Sequence, residues 1–195
     1  MVSSNPSKLR DTVIISTYVI GLCVMCLWTP AKAGLQTKDI DKTTQQFEVG
    51  FSPEGSAEAL VLKAINSAHN SINVLAYSFT SQPIAEALVM AHKRGIDIQV
   101  VVDRSQKTEK YTSATFLANA GIPVRIDYQH AIAHNKVMII DRRHVETGSF
   151  NYTAAAAHKN AENAIVIWNN VPLAEIYLTD WNRHWQHLED YRARY

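Results

Sequence analysis

Four polar side chains in the second half of the chain have the types and spacing needed to attack and hold a phosphodiester. His134 and Lys136 lie two residues apart, and Ser149 and Asn151 repeat that spacing directly after Gly148. Because side chains alternate across a strand, the two members of each pair should share a face. An imidazole, an ammonium, a hydroxyl and a carboxamide are thereby placed on two adjacent extended segments.

The residues between these pairs predict a hairpin that brings them together. Residues 137–140 form an apolar, β-branched run typical of a buried strand, and residues 141–144 are polar and begin with aspartate, as a tight turn favours. Gly148 lacks a Cβ, so the backbone there can approach a ligand or a neighbouring strand closely. Asp141 lies off the reactive face, and we expect it to be structural, with a basic neighbour as its candidate partner.

The predicted role of each side chain follows from the charge that develops on a phosphodiester during attack. Negative charge spreads over the phosphate oxygens as a nucleophile adds, so fixed cations and donors stabilise the transition state. Lys136, Ser149 and Asn151 suit that role as phosphate-binding groups. His134 is then the nucleophile, because a neutral imidazole can attack phosphorus and no reactive thiol lies near it. Such an attack gives a covalent phosphohistidine.

Glu162 is the predicted orienting partner of His134. An imidazole that acts in catalysis usually has its second nitrogen held by a carboxylate. Glu162 lies shortly downstream, just before the apolar run 164–168. The predicted catalytic residues are therefore His134, Lys136 and Glu162.

The stretch from His134 to Glu162 resembles the signature of the phospholipase D superfamily, H-x-K-x4-D-x6-G-S-x-N followed by a later acidic residue. Every element is present, with Asp141 and Gly148 at positions that we interpret as structural. Residues 47–53 and 145–153 are more narrowly similar to small, plasmid-encoded periplasmic endonucleases of that superfamily. The resemblance implies the phospholipase D/nuclease fold and a phosphodiester hydrolase.

The number of motif histidines has a consequence for assembly. Members of the superfamily use one motif histidine as nucleophile and a second as general acid for the leaving oxygen, and most carry both in one chain. This chain contains a single H-x-K, at His134. Single-motif relatives complete the site as a homodimer, and a two-fold interface does supply the same residue twice in opposed positions. We therefore expect a homodimer and an inactive monomer.

Two substrate classes fit this chemistry. Groups that contact phosphate read charge and not base edges, so a nuclease of this kind would cut DNA, with RNA as a second candidate, without sequence preference. The alternative is a phospholipase D-type hydrolase of lipid headgroups. After residue 33 the chain shows no long apolar segment or basic amphipathic helix that would dock on a bilayer, which favours the endonuclease. A binding module without activity is disfavoured because all the reactive groups are present.

Two histidine pairs outside the motif have simpler interpretations. His130 and His134 are four residues apart, but no third ligand has zinc spacing, so we expect no metal and no cofactor. His184 and His187 share the last predicted helix with Trp181 and other aromatic residues, which indicates a packing face or a dimer contact.

The N-terminus has the pattern of a secretory signal peptide, residues 1–33. It is polar and basic at first, apolar over residues 12–28, and ends in small residues that predict cleavage after Ala33. A retained membrane anchor is the weaker alternative, because the apolar run is shorter than the roughly 20 residues that span a bilayer. We expect a periplasmic or secreted protein with no stable membrane association after cleavage.

Composition limits how the processed chain can bind its partners. The formal net charge is +1, and the leader carries three basic residues and one acidic residue, so the remainder is close to neutral. Binding of nucleic acid must then rely on a local patch. The basic residues at 107–110 and 142–143 are candidates, with solvated charge as the equal alternative. Cys23 and Cys26, the two cysteines, lie in the leader, so disulfides cannot support the mature fold.

The remaining sequence predicts one α/β domain. Residues 34–46 are polar and should be a flexible lead-in, and residues 47–195 should form the catalytic domain. Strand and helix patterns alternate, which favours a mixed β-sheet flanked by helices on both faces. The predicted strands are 47–51, 72–77, 96–102, 124–126, both arms of the motif hairpin and 164–168, and the predicted helices are 55–68, 82–94, 112–120 and 172–188.

Overall fold

A mixed β-sheet of eight strands forms the centre of the computed structural model, which describes residues 46–109 and 112–192. The strands are β1 (Gln46–Ser52), β2 (Ser71–Ala76), β3 (Asp97–Asp103), β4 (Val124–Asp127), β5 (Lys136–Ile140), β6 (His144–Gly148), β7 (Glu162–Trp168) and β8 (Glu189–Asp190). Their order across the sheet is β1-β7-β6-β5-β2-β3-β4-β8. β2, β3 and β4 pair in parallel, and the other neighbours pair antiparallel.

Helices cover both faces of the sheet. They are α1 (Ser56–Asn66), α2 (Gln82–Lys93), α3 (Ser113–Asn119), α4 (Ala154–His158) and α5 (Val171–Gln186). The first four contribute to one buried cluster, in which Leu60 and Leu88 join Met138 of β5. Trp181 of α5 joins Ile139, the next residue of β5, in a second cluster on the opposite face. The predicted α/β fold with helices on both faces is confirmed.

The strands and helices predicted from the sequence lie within about two residues of those observed. Three short elements were not predicted, namely α4, β8 and a 3-10 helix at Arg104–Lys107, because so few residues show little periodicity. The expected signal peptide and nearly all of the expected lead-in lie outside the described residues. In the part of the chain that is described, no helix is long and apolar enough to cross a membrane.

The Asp141 carboxylate fixes the turn between β5 and β6. It accepts hydrogen bonds of 2.7–3.2 Å from the backbone N–H groups of His69, Asn70 and Ser71. Burial acts to raise the pKa of this carboxyl, but the backbone donors outweigh burial and hold the pKa below 3.8. The hydrogen-bond partners are therefore backbone groups, and the basic side chain of His69 makes the smallest contribution to lowering this pKa. The pairing of β2 with β5 brings the end of the preceding loop to the turn.

Gly148 allows β6 to lie very close to β7. An ideal Cβ at this position would overlap the carbonyl oxygen of Asn163 and would lie 3.0 Å from Cα of Ala164. Both are backbone atoms in the adjoining strand, so a larger residue could be accepted only if a strand moved. The close approach that the sequence suggested at Gly148 is thus made by a neighbouring strand, and it sets the position of the residues that follow.

Glu146 is a fully buried carboxyl in the core beside this hairpin. The hydroxyl of Tyr152 donates to its Oε2 at 2.7 Å, and Oε1 has no hydrogen-bond partner among the described residues. Removal from water raises the pKa of Glu146 to about 8, and the bond from Tyr152 offsets only part of that rise. The carboxyl is therefore mostly protonated near neutral pH.

This burial predicts how stability depends on pH. The carboxyl loses its proton near pH 4.5 in the unfolded chain and near pH 8 in the folded protein. The contribution of Glu146 to the free energy of unfolding is therefore largest below pH 4.5 and falls as the pH rises toward 8. The slope from one group is at most about 1.4 kcal/mol per pH unit. Glu146→Gln keeps an acceptor for Tyr152 but has no proton to lose, so its curve should be flatter. Urea unfolding from pH 5 to 8 compares the two proteins, and parallel curves would contradict the prediction.

Candidate active site

The ends of three strands bring the motif side chains to one edge of the sheet. β5 begins at Lys136, β6 ends at Gly148 and β7 begins at Glu162. The antiparallel pairing of β5 with β6 and of β6 with β7 places these three ends side by side. β2 ends at the same edge, where Ala76 lies opposite Lys136. The hairpin predicted from the sequence is confirmed, and its open end forms the candidate site.

His134 lies just before β5 and contacts both Lys136 and Tyr77. The Lys136 ammonium is 3.2 Å from each ring nitrogen and donates to the carbonyl oxygen of His134 at 3.0 Å. The two ring nitrogens face different directions, so one ammonium at equal distance from both cannot form a well-directed hydrogen bond with either. The contact therefore places a positive charge beside the imidazole. The Tyr77 ring centroid lies 4.4 Å from that of His134. The side chain of His134 is otherwise exposed to solvent.

Ser149 and Glu162 are joined by a short hydrogen bond. The Ser149 hydroxyl donates to Glu162 Oε2 at 2.6 Å and accepts from the backbone N–H of Asn163 at 3.1 Å. Asn160 donates from its Nδ2 to the other oxygen of Glu162 at 3.1 Å. Within the described residues no hydrogen bond joins Glu162 to His134, so the orienting role of Glu162 stays a prediction. Instead, Glu162 accepts a hydrogen bond from the hydroxyl of Ser149, the residue that was predicted to bind phosphate.

Lys136 is the buried cation of the site, with 6% of its surface exposed. Burial lowers the pKa of its ammonium below 10.5, and the negative charge of Glu162 acts in the opposite direction. Its Nζ also lies 5.1 Å from the centroid of the Tyr77 ring. Because a charge is screened less away from bulk water, a phosphate oxygen entering here would interact strongly with this ammonium.

Asn151 presents a carboxamide whose oxygen has no partner. Its Oδ1 is buried, and the described part of the chain offers it no hydrogen bond. An unpaired buried polar atom costs about 1–3 kcal/mol, and in native proteins such atoms need an explanation, of which a functional role is one. This position agrees with the predicted role of Asn151 in substrate binding without testing it.

Two residues of the site were missed from the sequence. Tyr77 follows β2, and its backbone N–H donates to the carbonyl oxygen of Asn135 at 2.9 Å, which places its ring beside His134. Asp103 ends β3, is buried, and accepts the backbone N–H of Ala133 at 2.8 Å, so it holds the segment that leads into His134. The available signal was that both residues lie at the carboxyl ends of predicted strands, 72–77 and 96–102, where side chains converge at one edge of a sheet.

Other residues considered from the sequence lie elsewhere. Arg142 sits in the turn at the far end of the hairpin and pairs with Glu175 at 3.0 Å, so a grip on phosphates beside His134 was the wrong interpretation. Packing is confirmed for Trp181, which is buried and donates to the carbonyl oxygen of Val74 at 3.1 Å. The imidazole of His130, considered from the sequence as a zinc ligand together with His134, contacts Asp127 and His184.

Comparison with known proteins assigns the family. The sequence profile described as "Cardiolipin synthase, PLD-like domain" matches residues 61–185, well over half of the chain. The fold is similar to the crystal structure of Nuc, a phospholipase D family member from Salmonella typhimurium, with a TM-score of 0.74 and 50% identity over 76% of this chain and 99% of Nuc. NucT from Helicobacter pylori shares the fold with a TM-score of 0.69 at 21% identity, over 75% of this chain and 99% of NucT.

Curated relatives carry two names. A phospholipase D of Rickettsia felis is 43% identical over 131 residues, which make up 67% of this chain and 65% of that protein. A mitochondrial cardiolipin hydrolase of Homo sapiens is 31% identical over 135 residues, 69% of this chain and 53% of that protein. The chain thus spans between about half and two thirds of the length of these relatives.

The mixed sheet, the His-x-Lys and Gly-Ser-x-Asn motifs at its edge and the profile match indicate the same family. The chain belongs to the phospholipase D superfamily.

The electrostatic link between Lys136 and Glu162 can be measured directly. Glu162→Gln removes the negative charge that raises the pKa of Lys136, so this pKa should fall below its wild-type value. NMR titration of the Lys136 side chain would report it. Ser149→Ala is the matched control, because it removes the partner hydroxyl and keeps the carboxylate. An unchanged or higher pKa in Glu162→Gln would contradict the link.

Proposed function

We propose that this protein is an endonuclease that hydrolyses DNA, with RNA as a second substrate, through a covalent intermediate on His134. The observation that carries the proposal is the contact of the buried Lys136 ammonium with an exposed imidazole at the edge where Ser149 and Glu162 meet. Lys136, Ser149 and Asn151 would hold the non-bridging oxygens of one phosphate, leaving its phosphorus open to attack from the imidazole.

The reaction divides into two displacements at phosphorus. In the first, a ring nitrogen of His134 forms a bond to phosphorus while the bond to the leaving oxygen breaks, and a general acid gives that oxygen a proton. In the second, the same group takes a proton from water, whose oxygen attacks phosphorus and releases the imidazole. Each step therefore needs an acid or base on the side of the phosphate opposite the His134 imidazole.

A second copy of the chain would provide that acid. Among the described residues, the His134 imidazole contacts the Tyr77 ring and the Lys136 ammonium, and neither is a second imidazole or a carboxyl group. A two-fold axis at this edge would bring the partner's His134 to the other side of the phosphate. The protein we propose is therefore a homodimer with one reaction centre shared by two subunits.

The surface beside the site favours nucleic acid. β3 and β4 end at the same edge as β2, and the basic Arg104 and Lys107 follow β3 there. Tyr128 follows β4, is 38% exposed, and has the Lys107 ammonium 5.2 Å from its ring centroid. Proteins bind single-stranded nucleic acid by combining cations along the phosphate backbone with aromatic rings on which the bases stack.

A lipid headgroup is the second candidate substrate. Relatives named phospholipase D and mitochondrial cardiolipin hydrolase align with this chain over 67% and 69% of its length. Ile132, two residues before His134, is 58% exposed and is an apolar side chain that could enter a lipid surface. This candidate uses the same site and the same phosphohistidine.

One assay series separates the two substrates. Purified protein is incubated in excess EDTA with plasmid DNA, with RNA, and with vesicles of phosphatidylcholine and cardiolipin. We expect DNA to be nicked and degraded with at most slow release of headgroups, and His134→Ala to lower the rate at least about 1000-fold, as loss of a catalytic nucleophile typically does.

His69→Ala is the control for this series. His69 is exposed at the opposite end of the sheet and contacts Asp141 through its backbone N–H, which alanine retains. Headgroup release with intact DNA would replace the nuclease by the lipid hydrolase. Loss of all activity in EDTA, with recovery on adding Mg²⁺, would overturn the mechanism.

We also propose that the protein is exported and that its leader is removed. The leader pattern at residues 1–33 supports export, and the remaining chain carries no cysteine, so an oxidising compartment would not alter it. N-terminal sequencing of the protein from a periplasmic extract should give a chain that begins at Gly34. An intact leader in that fraction would contradict cleavage.

A further inference from the structure

Three side chains able to bind a metal ion meet between the end of β4 and α5. The carboxylate oxygen Oδ2 of Asp127 lies 2.8 Å from Nδ1 of His130 and 2.8 Å from Nδ1 of His184. The potential ligand atoms of the three residues all lie within 4.8 Å of one another. These residues come from a strand end, a loop and a helix, so only the fold brings them together.

The Asp127 carboxylate is fixed in position by its other oxygen. Oδ1 accepts the backbone N–H groups of Gln129 and His130 at 2.9 and 3.1 Å, and the side chain is fully buried. The second oxygen, Oδ2, is presented to the two imidazoles. Carboxylates that bind metal ions are themselves held in place by hydrogen bonds, as Asp127 is here through Oδ1.

A second carboxylate lies beside one of the two histidines, and solvent can reach the cluster from the side of the other. Nε2 of His184 lies 3.7 Å from Oδ2 of Asp180, one turn earlier on α5. A carboxylate at the second nitrogen commonly orients a histidine that binds metal through its first. The His184 side chain is 10% exposed and that of His130 is 54% exposed, so the cluster opens to solvent on the His130 side. Water could therefore reach it as a further ligand.

We propose that Asp127, His130 and His184 form a zinc site in which Oδ2 and the two Nδ1 atoms bind the ion and water completes a tetrahedron. Zinc bonds of about 2.0–2.2 Å to oxygen and nitrogen place tetrahedral ligand atoms about 3.3 Å apart. The observed 2.8 Å separations would open by about half an ångström as the ion replaces the two hydrogen bonds. Two neutral imidazoles and one carboxylate suit a borderline-soft divalent ion.

The ion would act on the segment that carries the catalytic imidazole. Residues 128–133 connect Asp127 to His134, and Asp103 already holds the far end of the segment through Ala133. Zinc would tie the near end to α5. Its role would be to stabilise this segment and not to take part in bond breaking, so the proposal does not rest on the nature of the substrate.

Zinc binding by the full chain tests the proposal. Protein is stripped with EDTA, freed of the chelator, and titrated with Zn²⁺ by isothermal titration calorimetry and by thermal unfolding. Wild type should bind one ion with micromolar or tighter affinity and should melt at a higher temperature with zinc. His130→Ala and His184→Ala should each bind at least about 100-fold more weakly, since even outer carboxylates contribute about 10–100-fold to affinity. Asp180→Asn should lose about tenfold.

Two variants exclude binding at other histidines. His187→Ala removes an exposed imidazole at the end of α5 and should bind like wild type. His134→Ala should also bind like wild type, which separates this ion from one held at the candidate active site. His130→Ala alone decides the question if His184→Ala does not fold, because the His130 side chain is half exposed. Absence of binding in wild type, equal binding in His130→Ala, or loss of binding in His134→Ala would each overturn the site and leave a hydrogen-bonded cluster without an ion.

Discussion

The register of the β5–β6 hairpin is the constraint on which the candidate site depends. Side chains alternate between the two faces of a sheet, so a shift of one residue would exchange Lys136 for Val137 at the reactive edge. Two features prevent such a shift. The Asp141 carboxylate is bound to three backbone N–H groups at the turn, and Gly148 is packed against the backbone of β7 at the open end. Contacts at both ends of the hairpin therefore fix the positions of the reactive side chains at its open end.

The same packing explains why the motif includes residues, Asp141 and Gly148, whose observed contacts are with backbone atoms. Gly148 brings the chain close enough to β7 for the Ser149 hydroxyl to reach Glu162 at 2.6 Å. Glu162 in turn counteracts the effect of burial on the pKa of Lys136. A glycine that only allows two strands to approach therefore influences the protonation of a lysine on a third strand.

Local spacing was enough to predict the hairpin, its turn and the convergence of His134 with Lys136. Each depends on residues near one another in sequence, where the alternation of a strand leaves few choices. The partners of Glu162, the ring of Tyr77 beside His134 and the meeting of Asp127 with His184 were not predicted. They join segments far apart in the chain, and their positions follow from strand order, which spacing does not encode. His184 is the plainest example, because its helical neighbours indicated packing while its imidazole reaches the end of β4.

The central claim is that one reaction centre requires the His134 imidazole from each of two identical subunits. It is tested most directly by adding increasing amounts of His134→Ala protein to a fixed amount of wild type, under conditions that allow subunits to exchange, and measuring cleavage of DNA. If two histidines are required, mixed dimers are inactive and the rate falls toward zero as the variant is added, whereas excess His69→Ala does not lower it. A rate that stays constant as His134→Ala is added would show that each wild-type chain works alone and would contradict the account.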